Sequence, residues 1–286
     1  MKKSLINRDL IQRLGFSLLT LVTLMTVIPI LAVVFYIIKE GAPAISWEFL
    51  TAMPRDGMRA GGILPAIVGT FYLTLGTAAF SVPLGIAAAI YLSEYALDTA
   101  WTRIIRIAII NLAGIPSVVY GLFGLGLFVI FLKFGTSILA ASLTLSIMTL
   151  PVIISASEEA LRAVPQAFRT VSISLGGTQW QTIRKIVLPQ ALPGILTGVI
   201  LGLERAAGET APILFTGAAF FLPRLPGSPM DATMALPYHL FVISTQVPEM
   251  PFQIQYGTAL VLIVFVLSMN VIATLVRSRA RAKRQW

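Results

Sequence analysis

Arg205, Glu209 and Thr210 stand in a stretch otherwise made of apolar and small residues, Leu201-Gly202-Leu203-Glu204-Arg205-Ala206-Ala207-Gly208-Glu209-Thr210-Ala211-Pro212. A guanidinium presents parallel N–H donors that match two oxygens of a tetrahedral oxyanion. A carboxylate beside it can accept a hydrogen bond from an oxyanion that still carries a proton. Phosphate near neutral pH carries one, whereas sulfate does not. Glu209 beside Arg205 would therefore favour phosphate over sulfate by differential pairing, and Thr210 would add a hydroxyl donor. The competing reading is a structural ion pair at a helix or subunit contact. Glu204 falls about 100° round a helix from Arg205 and is expected to face another surface.

The elements that must position these groups follow from how charge is distributed. The chain has 286 residues, 57% hydrophobic and 12% charged, with no cysteine and a formal charge of +9. A soluble domain carries about 25% charged residues. Five charge-free runs exceed twenty residues here: 14–38, 60–93, 107–132, 134–157 and 250–276. A hydrocarbon core ~30 Å thick needs ~20 apolar residues in a helix. These runs exclude a soluble enzyme, a disordered chain and a disulfide scaffold, and imply an all-α polytopic membrane protein. Barrel strands would show ten-residue alternation, which is absent. Six spans account for the pattern, at 16–38, 64–92, 104–132, 137–156, 191–221 and 253–276. In a fifth span beginning at Ala191, Arg205 lies roughly 21 Å along the helix, near the bilayer middle. Arginine there costs ~2.5–3.5 kcal/mol on insertion scales, so such a charge is read as functional by default.

Fifteen of the 21 basic residues fall in alternate loops. They are Lys2, Lys3, Arg8, Arg13, Arg103, Arg106, Arg162, Arg169, Arg184, Lys185, Arg277, Arg279, Arg281, Lys283 and Arg284. The opposite loops hold Lys39, Arg55, Arg59, Lys133 and Arg224. This asymmetry places both termini in the cytoplasm. The basic tail, 277–286, suits anionic membrane lipid, and nucleic acid is not needed. The apolar run from Gly15 to Ile38 is too long for a cleavable signal peptide and reads as a retained first helix. Trp47 and Phe49 in the outside segment 39–62 suit an interfacial position. His239, in a Pro-rich outside loop at 222–252, has no partner at metal-ligand spacing, so no metal site is expected.

Within the third span, Gly114-Ile115-Pro116-Ser117 joins a helix breaker to a small polar residue, and Gly121, Gly124 and Gly126 follow. This reads either as ordinary packing by small residues or as a bend lining a passage. Segment 158–190 is too polar to span. Val164, Phe168, Val171 and Leu175 recur at helical spacing until Gly176-Gly177 breaks the helix, and Trp180, Ile183 and Val187 mark one side of a second short helix. By itself this pair reads as a cytoplasmic docking surface, or as an interfacial helix lying on lipid.

The run Gly176 … Ile186-Val187-Leu188-Pro189 resembles the cytoplasmic "EAA" signature of type I ABC importer permeases. Gly176, Ile186, Leu188 and Pro189 match in register, whereas Thr170, Val171 and Ser172 replace Glu-Ala-Ala. Gly114-Ile115-Pro116-Ser117-Val118-Val119-Tyr120-Gly121-Leu122-Phe123-Gly124 and Arg205-Ala206-Ala207-Gly208-Glu209-Thr210-Ala211-Pro212 resemble the phosphate-specific (Pst) permeases, with an ending closer to the PstA type than the PstC type.

The resemblance implies the type I permease fold with coupling helices at 158–190 seated in a cytoplasmic ATPase, with Gly176, Gly177, Trp180, Ile186, Leu188 and Pro189 in that region. It implies a bacterial inner membrane location, a PstC-type sister permease as heterodimer partner, two ATPase copies and a phosphate-binding protein outside. Arg205 and Glu209 become candidates for the translocation pathway. The chain has no Gly-Lys-Ser/Thr phosphate loop for ATP. The resemblance therefore implies a non-catalytic subunit without a cofactor of its own, ATP and magnesium belonging to the partner ATPase. The rival expectations are a permease for molybdate, tungstate or sulfate, and a standalone anion channel or ion-coupled carrier.

Overall fold

The computed structural model describes residues 8–282. Lys2 and Lys3 of the basic N-terminus and Lys283 and Arg284 of the tail lie outside the described residues. Helix α1 (Arg8–Gly41) runs through Pro29 and presents apolar side chains to the surroundings from Leu14 to Ile38. Beyond it, α2 (Trp47–Thr51) begins at Ser46, whose Oγ accepts the Phe49 N–H at 3.1 Å. Two-residue strands β1 (Pro54–Arg55) and β2 (Ala60–Gly61) pair antiparallel and lead into α3 (Leu64–Ile90), which continues as a π-helical turn at Tyr91–Tyr95. Trp47 stays exposed at 81%, but Phe49 is buried, so only the tryptophan keeps the expected interfacial character.

The stretch read as one third span is two helices, α4 (Ala100–Ala113) and α5 (Ser117–Gly124), the latter prolonged by a π-helical stretch to Phe131. Their axes differ by 102°. Pro116 has no N–H to return to the preceding turn, and its fixed φ suits the residue just before a new helix. Next comes α6 (Ile138–Arg162), capped by Ser137 and running past the expected span end at 156 until Pro165 disfavours further helix. Two thirds of its apolar window is buried, against none of that of α1 or α12, so α6 is the central post of the bundle.

Short α7 (Gln166–Ser174) and α8 (Gln179–Thr182) form the polar segment. α8 does not end as a separate helix: it passes through a π-helical turn at Ile183–Val187 into α9 (Leu188–Gly208). The span read as continuous to residue 221 stops at Gly208. Glu209 is extended, with φ −75° and ψ 139°, and α10 (Ala211–Thr216) starts afresh with Pro212 in its first turn. The expected outside loop contains α11 (Leu236–Thr245), whose Leu236, Val242 and Ile243 are fully buried. A short apolar run of this kind is a core or re-entrant helix rather than a span. Its first N–H is held by the Thr70 Oγ of α3 at 2.8 Å. Finally α12 (Phe252–Ala282) packs against α1, with Tyr36 and Tyr256 edge to face at 5.3 Å.

Among the described residues, five helices are long and apolar enough to cross a membrane alone, and the bent α4–α5 pair is the sixth candidate. Two apolar clusters hold them. The larger joins α3, α6, α10 and α11 through Leu73, Met148, Ile213 and Leu236. The smaller, around Ala89, Leu161, Val164, Val187 and Ile195, sits where α3, α6, the polar segment and α9 meet.

Candidate functional site

Arg205 occupies the last turn of α9. There the unpaired carbonyls and the negative end of the helix dipole favour a cation, a support that a mid-helix arginine would lack. Glu209 is outside the helix, so the two residues do not share a helical face. The extended residue nevertheless returns its carboxylate to the guanidinium, with Arg205 Nε donating to Glu209 Oε1 at 3.4 Å. That long contact is the one hydrogen bond of the guanidinium among the described residues, so most of its donors remain open there, and the Arg205 side chain is 37% exposed. Thr210 sits at the start of α10 and its hydroxyl makes no capping bond. Glu204 takes a different direction: its Oε1 is shut off from solvent without a hydrogen-bond partner among the described residues.

Gly114, Pro116 and Ser117 form the α4–α5 break, and the structure brings that break to the same place. A Cβ on Gly121 would meet Pro212 Cα at 3.0 Å and Ala211 O at 3.1 Å, so α5 lies directly on α10. Gly124 is in close approach to Thr144 of α6, whereas Gly126 faces open space. Two interrupted helices thus meet beside Arg205. Sequence reasoning did not single out Tyr120. It is buried, lies within electrostatic reach of Arg205, and donates its hydroxyl to Leu112 O at 2.7 Å across the bend. Non-helical backbone inside an apolar stretch is tolerated where protein encloses it or where it lines a polar passage.

The polar segment makes a second site. Gly176, with φ +83°, allows the turn after α7, and Thr178 opens α8 with a capping box to Gln181. Gly177 sits so close to Ser172 O that a Cβ would lie 2.9 Å from it. Across α7 and its flanks exposure rises outward, from 6% at Val164 to 58% at Val171 and 83% at Leu175. In the following helix Ile183 and Val187 are buried but Trp180 is exposed, because it projects beyond the bundle that covers the other two. Phe168, Val171, Leu175, Lys185 and Ile186 line an open apolar groove of about 510 Å³. Leu188 and Pro189 are half-buried at the start of α9.

Two ion-pair groups in this region went unread in the sequence. Arg169 grips Glu94 through Nε–Oε2 at 3.0 Å and Nη2–Oε1 at 2.6 Å. Arg106 of α4 and Arg162 of α6 both bind Glu158 Oε1, at 2.9 and 2.8 Å. Partners 52 and 75 residues apart follow no spacing rule. His239 lies on α11, buried enough that its pKa falls to about 4, which keeps the ring neutral. No cluster of metal-ligating side chains occurs among the described residues.

Residues 81–282 match the model of the binding-protein-dependent transport system inner membrane component family. The chain is 31% identical over 281 residues to the probable ABC transporter permease protein YqgI of Bacillus subtilis (strain 168), covering 93% of this chain and 95% of that relative. It is 34% identical over 263 residues to the phosphate transport system permease protein PstA 1 of Mycobacterium tuberculosis (strain ATCC 25618 / H37Rv), covering 90% and 84%. Among solved structures, a bacterial alginate ABC transporter in complex with alginate pentasaccharide-bound periplasmic protein matches with a TM-score of 0.65 and 16% identity, over 96% of this chain and 99% of that one. At that identity the likeness is one of fold. With the family match covering most of its length and the same helical plan, the chain belongs to the binding-protein-dependent transport system inner membrane component family, as a multi-pass, non-catalytic permease subunit of an ABC transporter.

Proposed function

We propose that this permease carries inorganic phosphate inward, forming half of the pathway of an ATP-driven importer. The observation that carries the reading is the Arg205–Glu209 pair at the meeting of two broken helices. Its guanidinium keeps donors for oxyanion oxygens, and its carboxylate can accept a hydrogen bond from the P–OH of protonated phosphate. The PstA-type relative supports the same cargo. In this reading a PstC-type sister permease supplies the other half of the path. Two cytoplasmic ATPases bind ATP and magnesium and seat against segment 158–190. A phosphate-binding protein delivers cargo to the outer residues 39–62 and 222–252, with both termini and the basic tail on the cytoplasmic side. Closure of the ATPases switches access, which requires the two states to differ in affinity for the anion.

Substitution tests this directly in the complete complex. Arg205→Gln is expected to abolish phosphate uptake while the complex still assembles in the membrane. Glu209→Gln is expected to lower the preference for phosphate over sulfate in uptake competition. Normal uptake by the first variant would remove Arg205 from the path, and unchanged selectivity in the second would remove the proton-reading role of Glu209.

A further inference from the structure

Arg169 uses four hydrogen bonds to join three parts of the chain. Besides the two to Glu94, its Nη1 donates to Val164 O at 2.7 Å and its Nη2 to Leu161 O at 2.9 Å, both at the end of α6. Glu94 lies in the turn that prolongs α3, and Ser93 Oγ donates to its Oε1 at 3.1 Å. From the other side of the glycine turn, Gln179 Nε2 donates to the backbone O of Glu94 at 2.6 Å. Each helix of the polar segment therefore sends one side chain to the same residue, Glu94. The pair is enclosed, with side-chain exposures of 12% for Arg169 and 7% for Glu94.

Stability alone is a poor account of such a pair. Desolvating two charges commonly offsets their attraction, and apolar residues of similar volume often do as well. The apolar contacts of Val164 and Val187 already hold the segment against the bundle, but apolar packing is non-directional. A planar guanidinium forked onto a carboxylate fixes distance and angle together. That is the property needed to pass a displacement of α7 and α8 to α3 and α6 without slippage.

We propose that Glu94 and Arg169, braced by Gln179, are positioning residues that form the mechanical joint between the ATPase-facing segment and spans α3 and α6. The proposal rests on the reading of 158–190 as that segment, but not on the identity of the cargo. The test uses the whole complex in proteoliposomes, with assembly, ATP hydrolysis and uptake of labelled phosphate measured together. Glu94→Gln and Arg169→Lys, which cannot form the charged fork, are expected to assemble and hydrolyse ATP. Their uptake per ATP should fall about tenfold, within the range by which single residues change coupling. Unchanged uptake per ATP in assembled variants would overturn the joint. Should the single variants fail to assemble, Glu94→Gln/Arg169→Gln leaves no buried charge unpaired. It is expected to assemble and remain uncoupled, and coupled uptake by it, or its failure to assemble, would equally overturn the proposal. A wrong cargo shows already as absent phosphate uptake by the wild type, where sulfate or molybdate then replaces phosphate in the same comparison.

Discussion

Tyr120, within electrostatic reach of Arg205, ties the two sides of the α4–α5 bend together with a single hydroxyl. Leu112 O would bond the N–H of residue 116 in a continuous helix, and Pro116 has none. The carbonyl instead receives the Ile115 N–H at 3.1 Å and the Tyr120 hydroxyl at 2.7 Å. Tyr120→Phe keeps the buried ring but removes one bond, a loss of about 0.5–1.5 kcal/mol. The expected result is normal assembly with phosphate uptake reduced several-fold, because the bend beside Arg205 loosens. Uptake equal to wild type would show that the hydroxyl does not set that geometry. Arg205 and Glu209 were legible from the sequence because charge in an apolar run is rare and costly. Tyr120 was not, since tyrosine in such a run is unremarkable and its acceptor lies across a bend.

At the scale of elements, the polar segment shows how far periodicity reaches. The spacing of Val164, Phe168, Val171 and Leu175 predicts α7, and Gly176-Gly177 predicts its end. Periodicity cannot tell which end of that apolar stripe is covered, and the structure buries Val164 while leaving Leu175 open. Exposed Val171 and Leu175 beside the 510 Å³ groove suit an apolar contact with the ATPase. Val171→Asp/Leu175→Asp is expected to abolish ATPase co-purification while the permease still inserts, since neither side chain supports the bundle. Retained co-purification would move the docking surface elsewhere. The breaks at Pro116 and Glu209 show the complementary limit. Hydropathy sees apolar residues on both sides of each break and reads one span, whereas the backbone bends by 102° at the first and turns extended at the second.

For the whole molecule, division of labour is the consequence to test. This chain has no phosphate loop for ATP, and one Arg–Glu site at a surface-accessible position is half of an enclosed path in the proposed pairing. Proteoliposomes containing only this chain are expected to show no phosphate uptake, with or without ATP, and reconstitution with sister permease, ATPase and binding protein to restore it. ATP-independent uptake by the chain alone would point to a carrier or channel instead.

What the sequence by itself determined was the solvent, the helical class, the presence of stretches apolar enough to span and the rare charge at Arg205. Each follows from a local cost: charge is expensive in hydrocarbon, and a lipid-facing backbone must bond to itself. Only the tertiary structure decided which residues meet. Glu94 and Arg169 are 75 positions apart, and Gly121 lies on Pro212. It also placed the buried helix α11 within the expected outer loop. Such pairings depend on close packing between helices distant in sequence, and no local period or charge count encodes them.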